Sequence, residues 1–428
     1  MVSSEILKRI IVENAEFAQG VSLIARPLDI EENGNYVFIG PRRSGKSFTM
    51  LRIMQDIMRG GGTPADFLYI RFEDERLLEF RADGFDMLLD SHGELYGVEK
   101  PTVFFDEIQE APGWEKFVRR LADNKYRIFV TGSNAKMIGR ELATTLGGRF
   151  FVTEIFPYSF SEYLAANGVS VQKKERYGRD RITVARLFDE WFHWGGFPEL
   201  SSFQNKRIWL ENLYQKIFYG DIMARYAIRN GAALRLLVKK LAESVGTDIS
   251  INRMKNIITS IGVKIGKTTI IDYIGFLKDS FMILIAENWL KGLSEREQEK
   301  KYYFVDNGLL SLFVSNENAK LLENIVAIEL ARCGYPLYFA KDKDEIDFYI
   351  ESEGIAIQVC YSLMDPEICR REIDSIRKIN RKLGAKRFLI ITMEEDRTIE
   401  SDGMTIEIIS IKNTWGQFLN PHANSSVF

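Results

Sequence analysis

Residues 36–50 read YVFIGPRRSGKSFTM, and their centre, Gly40-Pro41-Arg42-Arg43-Ser44-Gly45-Lys46-Ser47, has the spacing G-x-x-x-x-G-K-S. That spacing builds a phosphate cradle. The two glycines let the loop turn its backbone N–H groups onto phosphate oxygens, and the helix that follows adds its N-terminal dipole. Lys46 is placed to reach the β- and γ-phosphates and Ser47 to ligate Mg²⁺, with the other loop residues and Phe48 completing the cradle. Arg42 and Arg43 have two readings, contact with phosphate or solvated charge. The bland alternative for the whole motif is a glycine-containing turn. A strand before it and a helix after it argue against that.

A second motif carries the rest of the chemistry. TVFFDEIQ puts Asp106 and Glu107 at the end of an apolar strand downstream of the loop. Asp106 is the expected Mg²⁺ carboxylate. Glu107 is the residue that polarises a water for in-line attack on the γ-phosphate. A protein that only bound nucleotide has no need of the second acid, so the pair argues for hydrolysis. The next strand ends in VTGSN, where Ser133 and Asn134 are both candidates for sensing the γ-phosphate, and a plain turn is the alternative. TLGGRFF places Arg149 before a fifth strand, either as an arginine finger acting in trans or in a surface salt bridge.

These residues need a frame. NYVFIG, DFLYIRF, TVFFDE, RIFVTGS and RFFVTEIF read as five strands, and KSFTMLRIMQDIMR as the helix after the loop. Near-continuous apolar strands alternating with helical patterns imply a parallel sheet covered on both faces. Residues 157–231 are mostly helical and rich in aromatics. From 232 to about 312 three short helices precede two strands, the order of a winged helix-turn-helix, with Ser250 as a candidate N-cap. The remainder reads as a second α/β unit. The expected domains are therefore 1–156, 157–231, 232–313 and 314–428.

Composition sets outer limits. The chain has 428 residues, 46% of them hydrophobic and 27% charged, and a net charge of −3, which describes an ordinary globular protein. A whole-chain basic footprint for nucleic acid is absent. Cys333, Cys360 and Cys369 form no C-x-x-C pair, and His92, His193 and His422 are far apart, so neither a disulfide framework nor a histidine metal site is expected. No run approaches 18 apolar residues and the first twenty lack an uninterrupted apolar core, so the expectation is a cytoplasmic protein without a membrane span.

GPRRSGKS, FFDEIQEAPGWEKFVRRL, VTGSNAKMIGRELATTLGGRF, IFPYSFSEYL and WGGFPEL occur in this order. Together they resemble the prokaryotic predicted ATPases of the AAA+ superfamily that carry a C-terminal domain of unknown function. The resemblance implies a P-loop core of the additional-strand type, a helical lid, a winged helix and a restriction-endonuclease-like α/β domain. It also implies ATP as the nucleotide.

A restriction-endonuclease-like core holds Mg²⁺ on acids of two adjacent strands, in a pattern D…(D/E)-x-K, with a glutamate from the preceding helix. Glu323 and Asp347 match the helix and first-strand acids. Gln358 stands where the second acid belongs and Cys360 where the lysine belongs, so the site reads as degenerate, with Lys341, Lys343 or Lys386 as replacements that nothing compels. Arg370, Arg371, Arg377, Lys378, Arg381, Lys382, Lys386 and Arg387 crowd one helix and its end. They are either a phosphate-neutralising patch or a solvated face. Lys264, Lys267, Thr268 and Thr269 stand at the start of the third helix of the winged-helix region, the end that meets DNA in helix-turn-helix docking. Three functions are compatible with all this. They are an ATPase coupled to domains that face nucleic acid, a nucleotide-gated switch that recruits a protein, and an ATP-regulated nuclease. A homo-oligomer fits each of them.

Overall fold

The computed structural model describes residues 2–24, 26–133, 148–169 and 181–414. The chain divides into two compact units, Met1–Phe156 and Pro157–Phe428.

In the first unit five strands form one parallel sheet in the order β2-β3-β4-β1-β5. They are β1 (Asn35–Ile39), β2 (Phe67–Arg71), β3 (Thr102–Asp106), β4 (Ile128–Gly132) and β5 (Phe150–Glu154). The five strands expected from the sequence are these five. The period of two along each strand sorts the side chains into two cores. Val37, Leu68, Ile70, Val103, Phe105 and Val130 face one way, against α1 (Ser4–Gly20), α3 (Gly84–Tyr96) and α4 (Trp114–Asp123). Tyr36, Phe38, Tyr69, Phe104 and Phe129 face the other, against Met50, Leu51 and Met54 of α2 (Lys46–Arg59). On that second face Phe104 and Phe129 stack with ring centroids 4.8 Å apart.

In this strand order β4 lies between β3 and β1, the strand that leads into the phosphate loop. The ends of β1, β3 and β4 therefore converge, and the functional side chains sit there.

The second unit opens with α5 (Phe160–Ala166), α6 (Arg181–Trp194) and α7 (Lys206–Gln215), the last continuing into a π-helical stretch over Lys216–Ala224. Next come α8 (Gly231–Glu243), β6 (Ile249–Ser250), α9 (Ile251–Ser260), α10 (Lys267–Asp279) and an antiparallel hairpin of β7 (Ile283–Asn288) and β8 (Glu299–Phe304). Ser250 caps α9 by accepting the Arg253 N–H at 3.2 Å. β6 pairs with β8, and β9 (Tyr338–Lys341) adds to β7 in parallel, giving the sheet β10-β9-β7-β8-β6 with β10 (Glu345–Ile346) at its edge. The expected border at 313/314 thus runs between strands that share one sheet.

A third sheet follows in the order β11-β12-β13-β15-β14, made of β11 (Phe348–Ile350), β12 (Ile355–Val359), β13 (Arg387–Thr392), β14 (Arg397–Ser401) and β15 (Met404–Ser410). α12 (Pro366–Leu383) buries Ile376 and Ile379 in its core. Residues 345–350 form two short strands rather than one. β10 belongs to one sheet and β11 to the next, and Asp347 is the residue between them. Leading into this region is α11 (Asn318–Arg332), which carries Glu323.

Candidate nucleotide-hydrolysis site

Gly40 ends the strand side of the loop at φ +145°, and a Cβ built there meets the Ile155 carbonyl oxygen at 2.3 Å, so only glycine fits. Gly45 precedes α2 at φ +98°, in the left-handed region that favours glycine. Lys46 is 4% exposed, and its ammonium donates to the carbonyls of Gly40 (3.2 Å) and Pro41 (2.9 Å) inside the loop. The same ammonium lies 3.8 Å from Glu107 Oε1. The Arg26 guanidinium braces the loop from outside by donating to the Ser44 carbonyl at 2.9 Å.

The two strand-end acids are joined to the loop by a short chain of hydrogen bonds. Ser47 Oγ donates to Asp106 Oδ1 at 2.9 Å. Thr131 Oγ1, fully buried at the end of β4, donates to the same oxygen at 2.5 Å and accepts the Glu107 N–H at 2.8 Å. Glu107 has φ +49° and ψ +49°, a left-handed conformation that costs an ordinary residue roughly 1–2 kcal/mol. The bond to Thr131 offsets that cost. It holds Glu107 where Gln109 Nε2 donates to Oε2 at 2.5 Å and leaves Oε1 beside Lys46. Burial, and then the Glu107 charge, push the Asp106 carboxyl up to about 6, against the hydroxyls of Thr131 and Ser47 and the charge of Lys46.

The hard oxygen set of Ser47 and Asp106, already in contact and facing the loop lysine, fits Mg²⁺ by its donor chemistry. Asp106 and Glu107 also line a cavity of about 220 Å³ with Arg71, Glu73, Asp74 and Glu75. Arg42 faces this side, its guanidinium 3.2 Å from the Glu73 carboxylate.

The other expected residues are less gathered. Ser133 is 4% exposed and its hydroxyl has no hydrogen-bond partner among the described residues. Asn134 lies outside the described residues. Arg149 pairs with Asp123 at 2.8 Å on the surface, the blander of its two readings. Phe48 is half exposed. Thr131 was not among the residues picked out by sequence, although it stands in β4 only two residues before Ser133.

In the second unit Glu323 and Asp347 do come together, yet neither Lys341, Lys343 nor Lys386 joins them. Lys341 pairs with Asp248 and Glu345, and Lys343 is exposed. The cation between the two acids is Lys301 of β8. Gln358 turns its amide N–H to Glu372 at 2.8 Å, and Cys360 points its thiol at the Ser362 carbonyl. Burial pushes that thiol up to about 11. The basic helix is also tied down. Arg371 pairs with Glu372, Arg377 with Asp374 and Asp402, Lys378 with Asp344, Lys382 with Asp342 and Arg387 with Glu407.

A family model described as an AAA domain matches residues 32–164, and one described as a domain of unknown function matches 185–320. An uncharacterized protein of Methanocaldococcus jannaschii is 32% identical over 428 residues, covering 96% of this chain and 95% of that one. An uncharacterized protein of Haemophilus influenzae is 32% identical over 386 residues, covering 88% of this chain and 92% of that one. The Walker-type ATPase of Pyrococcus abyssi aligns in structure with a TM-score of 0.43 and 13% identity, over 73% of this chain and 96% of that one. The AAA-domain match and the parallel five-stranded sheet make the first unit a P-loop core of AAA type. The chain belongs to the family of the two uncharacterized relatives. No helix among the described residues is long and apolar enough to cross a membrane.

Proposed function

We propose that the chain is a Mg²⁺-dependent ATPase whose turnover is coupled to a nucleic-acid-facing surface in its second unit. The observation that carries the first half is the linked set Ser47–Asp106–Thr131–Glu107. It fixes a metal-binding oxygen pair and a separately held carboxylate beside the loop lysine. In this reading Lys46 leaves the loop carbonyls for the phosphates, and Glu107 takes the proton of the attacking water. Ser47 and Asp106 would hold Mg²⁺, which supplies charge neutralisation on the β- and γ-phosphates when bound. Ser133, buried one residue past β4 and without a hydrogen-bond partner among the described residues, is the better supported sensor. Arg149 is the candidate finger for a neighbouring copy, for which the Asp123 pair would have to open.

The second half rests on residues 231–304. Helix, short strand, two helices and a hairpin, with the short strand paired to the second hairpin strand, is the order of a winged helix-turn-helix. Residues 250–279 carry five Lys or Arg against two Asp, and Lys264, Lys267 and Thr268 are exposed at the start of α10. A local basic surface of this kind neutralises phosphates without a basic whole chain. The paired bases of α12 fit this role less well, because each phosphate contact there would first break an ion pair.

The rival reading is a switch that recruits a protein. It is favoured by Ile261 and Ile271, 60% and 55% exposed on the α9–α10 turn and on α10. ATP turnover measured with and without duplex DNA, at low and moderate salt, separates the two. Stimulation that fades with salt supports the DNA-facing surface. Turnover indifferent to DNA at both salts supports the switch.

A further inference from the structure

Lys301 is 0% exposed. Its ammonium lies 2.7 Å from Glu345, 3.0 Å from Asp347 and 3.2 Å from Glu323. The period of two along β8 puts Tyr303 on the same face, where its hydroxyl donates to Glu323 at 2.8 Å. Burial alone would lower the lysine's pKa, but Glu323, Asp347 and Glu345 outweigh it and keep the ammonium charged.

The resemblance to restriction-endonuclease-like domains implies Mg²⁺ on Glu323 and Asp347. The donor set does not fit it. Asp347 spends both oxygens, one on Lys301 and the other on the Val359 N–H at 3.0 Å. Gln358 offers its oxygen to the Asp347 N–H and its nitrogen to Glu372, and it brings no charge to a cation. A divalent ion entering here would have to displace a fully buried ammonium and break its three ion pairs. Mg²⁺ also sheds its own waters reluctantly.

We propose that Lys301 is the resident cation of this carboxylate site. It stands where a nuclease of this layout would hold Mg²⁺, so the domain does not cut nucleic acid. The ammonium instead works as an ion lock that ties the β7–β8 hairpin to α11 and to the strands on either side of Asp347. The lock extends outward, since Glu345 also holds Lys341, which holds Asp248 beside β6. The hairpin and the α/β domain are thereby made one body around a single internal charge. This inference is independent of the ATPase reading.

The test compares Mn²⁺ binding to the full chain, nucleotide-free, for the wild type, Asp347→Asn and Lys301→Met. Wild type and Asp347→Asn are expected to bind the same number of Mn²⁺ ions and to leave a supercoiled plasmid uncut in Mn²⁺ or Mg²⁺. Lys301→Met is expected to melt about 10 °C lower, as removal of one partner from a buried ion cluster does. It should also gain one Mn²⁺ that raises its melting temperature. If Lys301→Met yields no folded protein, Glu345→Gln, at the more exposed edge of the cluster, takes its place. Its melting temperature should fall by a smaller amount, with Mn²⁺ binding unchanged. A wild type that loses one Mn²⁺ equivalent, or its nicking activity, on Asp347→Asn overturns the proposal. So does a Lys301→Met protein that melts like the wild type.

Discussion

Replacing Thr131 by Val tests whether the left-handed turn at Glu107 is functional. The side chain keeps its shape, so the change removes only an oxygen. Two buried bonds go with it, one to the Asp106 carboxylate and one from the Glu107 N–H. At about 2 kcal/mol for a bond to a charged group and about 1 kcal/mol for a neutral one, the expected loss of stability is about 3 kcal/mol. The Glu107 bond offsets a backbone cost of roughly 1–2 kcal/mol. Without it, at about 1 kcal/mol for the neutral bond, the share of molecules holding Glu107 in place falls about fivefold, and kcat should fall with it. Affinity for nucleotide should change little, because the cradle and Lys46 are untouched. Steady-state ATP turnover, nucleotide binding by fluorescence and a melting curve together read this out, with Thr131→Ser as the control that restores the hydroxyl. A Thr131→Val protein that melts lower but turns over within twofold of the wild type would show that the bond is structural only.

Other outcomes follow from the same geometry. Lys46→Ala removes the ammonium enclosed by the loop and should abolish nucleotide binding in an equilibrium titration. Lys264→Ala combined with Lys267→Ala should raise the DNA concentration needed for half-maximal stimulation by about tenfold and flatten its salt dependence. Arg370→Ala with Arg381→Ala, on the helix whose other bases are paired, should leave both unchanged. Asp306 is buried and accepts the N–H groups of Gly196 (2.8 Å) and Gly308 (2.7 Å), and burial pushes its carboxyl up to about 6. A carboxyl raised above its unfolded value takes up a proton on folding, so this group makes the protein lose stability as pH rises from about 4 to about 6. Asp306→Asn should lessen the slope of urea-unfolding stability across that window, leaving the share that the raised carboxyl of Asp106 contributes, and an unchanged slope would remove Asp306 as a source.

The first unit was legible because its signals are local. The phosphate loop, the apolar strands and the DE pair each lie within one short stretch, and parallel strands buried on both faces leave continuous apolar runs. Thr131 was not legible, because a hydroxyl in a strand acquires its role only when β4 is placed beside β3. The same holds more strongly for Lys301. Its partners come from α11, β10 and the residue after it, 22 to 46 positions away in the chain, and the only local hint is its place in phase with the buried Tyr303. The strand β14 was legible and missed. RTIES, then Asp402-Gly403, then MTIEIIS is a hairpin signal with an Asp-Gly turn. The charge of α12 left a phosphate-neutralising patch and a solvated face both open, because the acids that neutralise it, such as Asp342, Asp344 and Asp402, lie on other elements.

The account turns on Glu107 as the group that activates water while Lys46 and Ser47 hold the nucleotide. Glu107→Gln keeps the size of the side chain and one acceptor oxygen for the Gln109 N–H, and removes its basicity and its charge beside Lys46. The measurement is ATP binding and ATP turnover on that variant, side by side with the wild type. Binding within about threefold and turnover lower by about a hundredfold or more is the predicted result. Hydrolysis at the wild-type rate would contradict it, and the base would have to be sought elsewhere in the cavity beside Asp106.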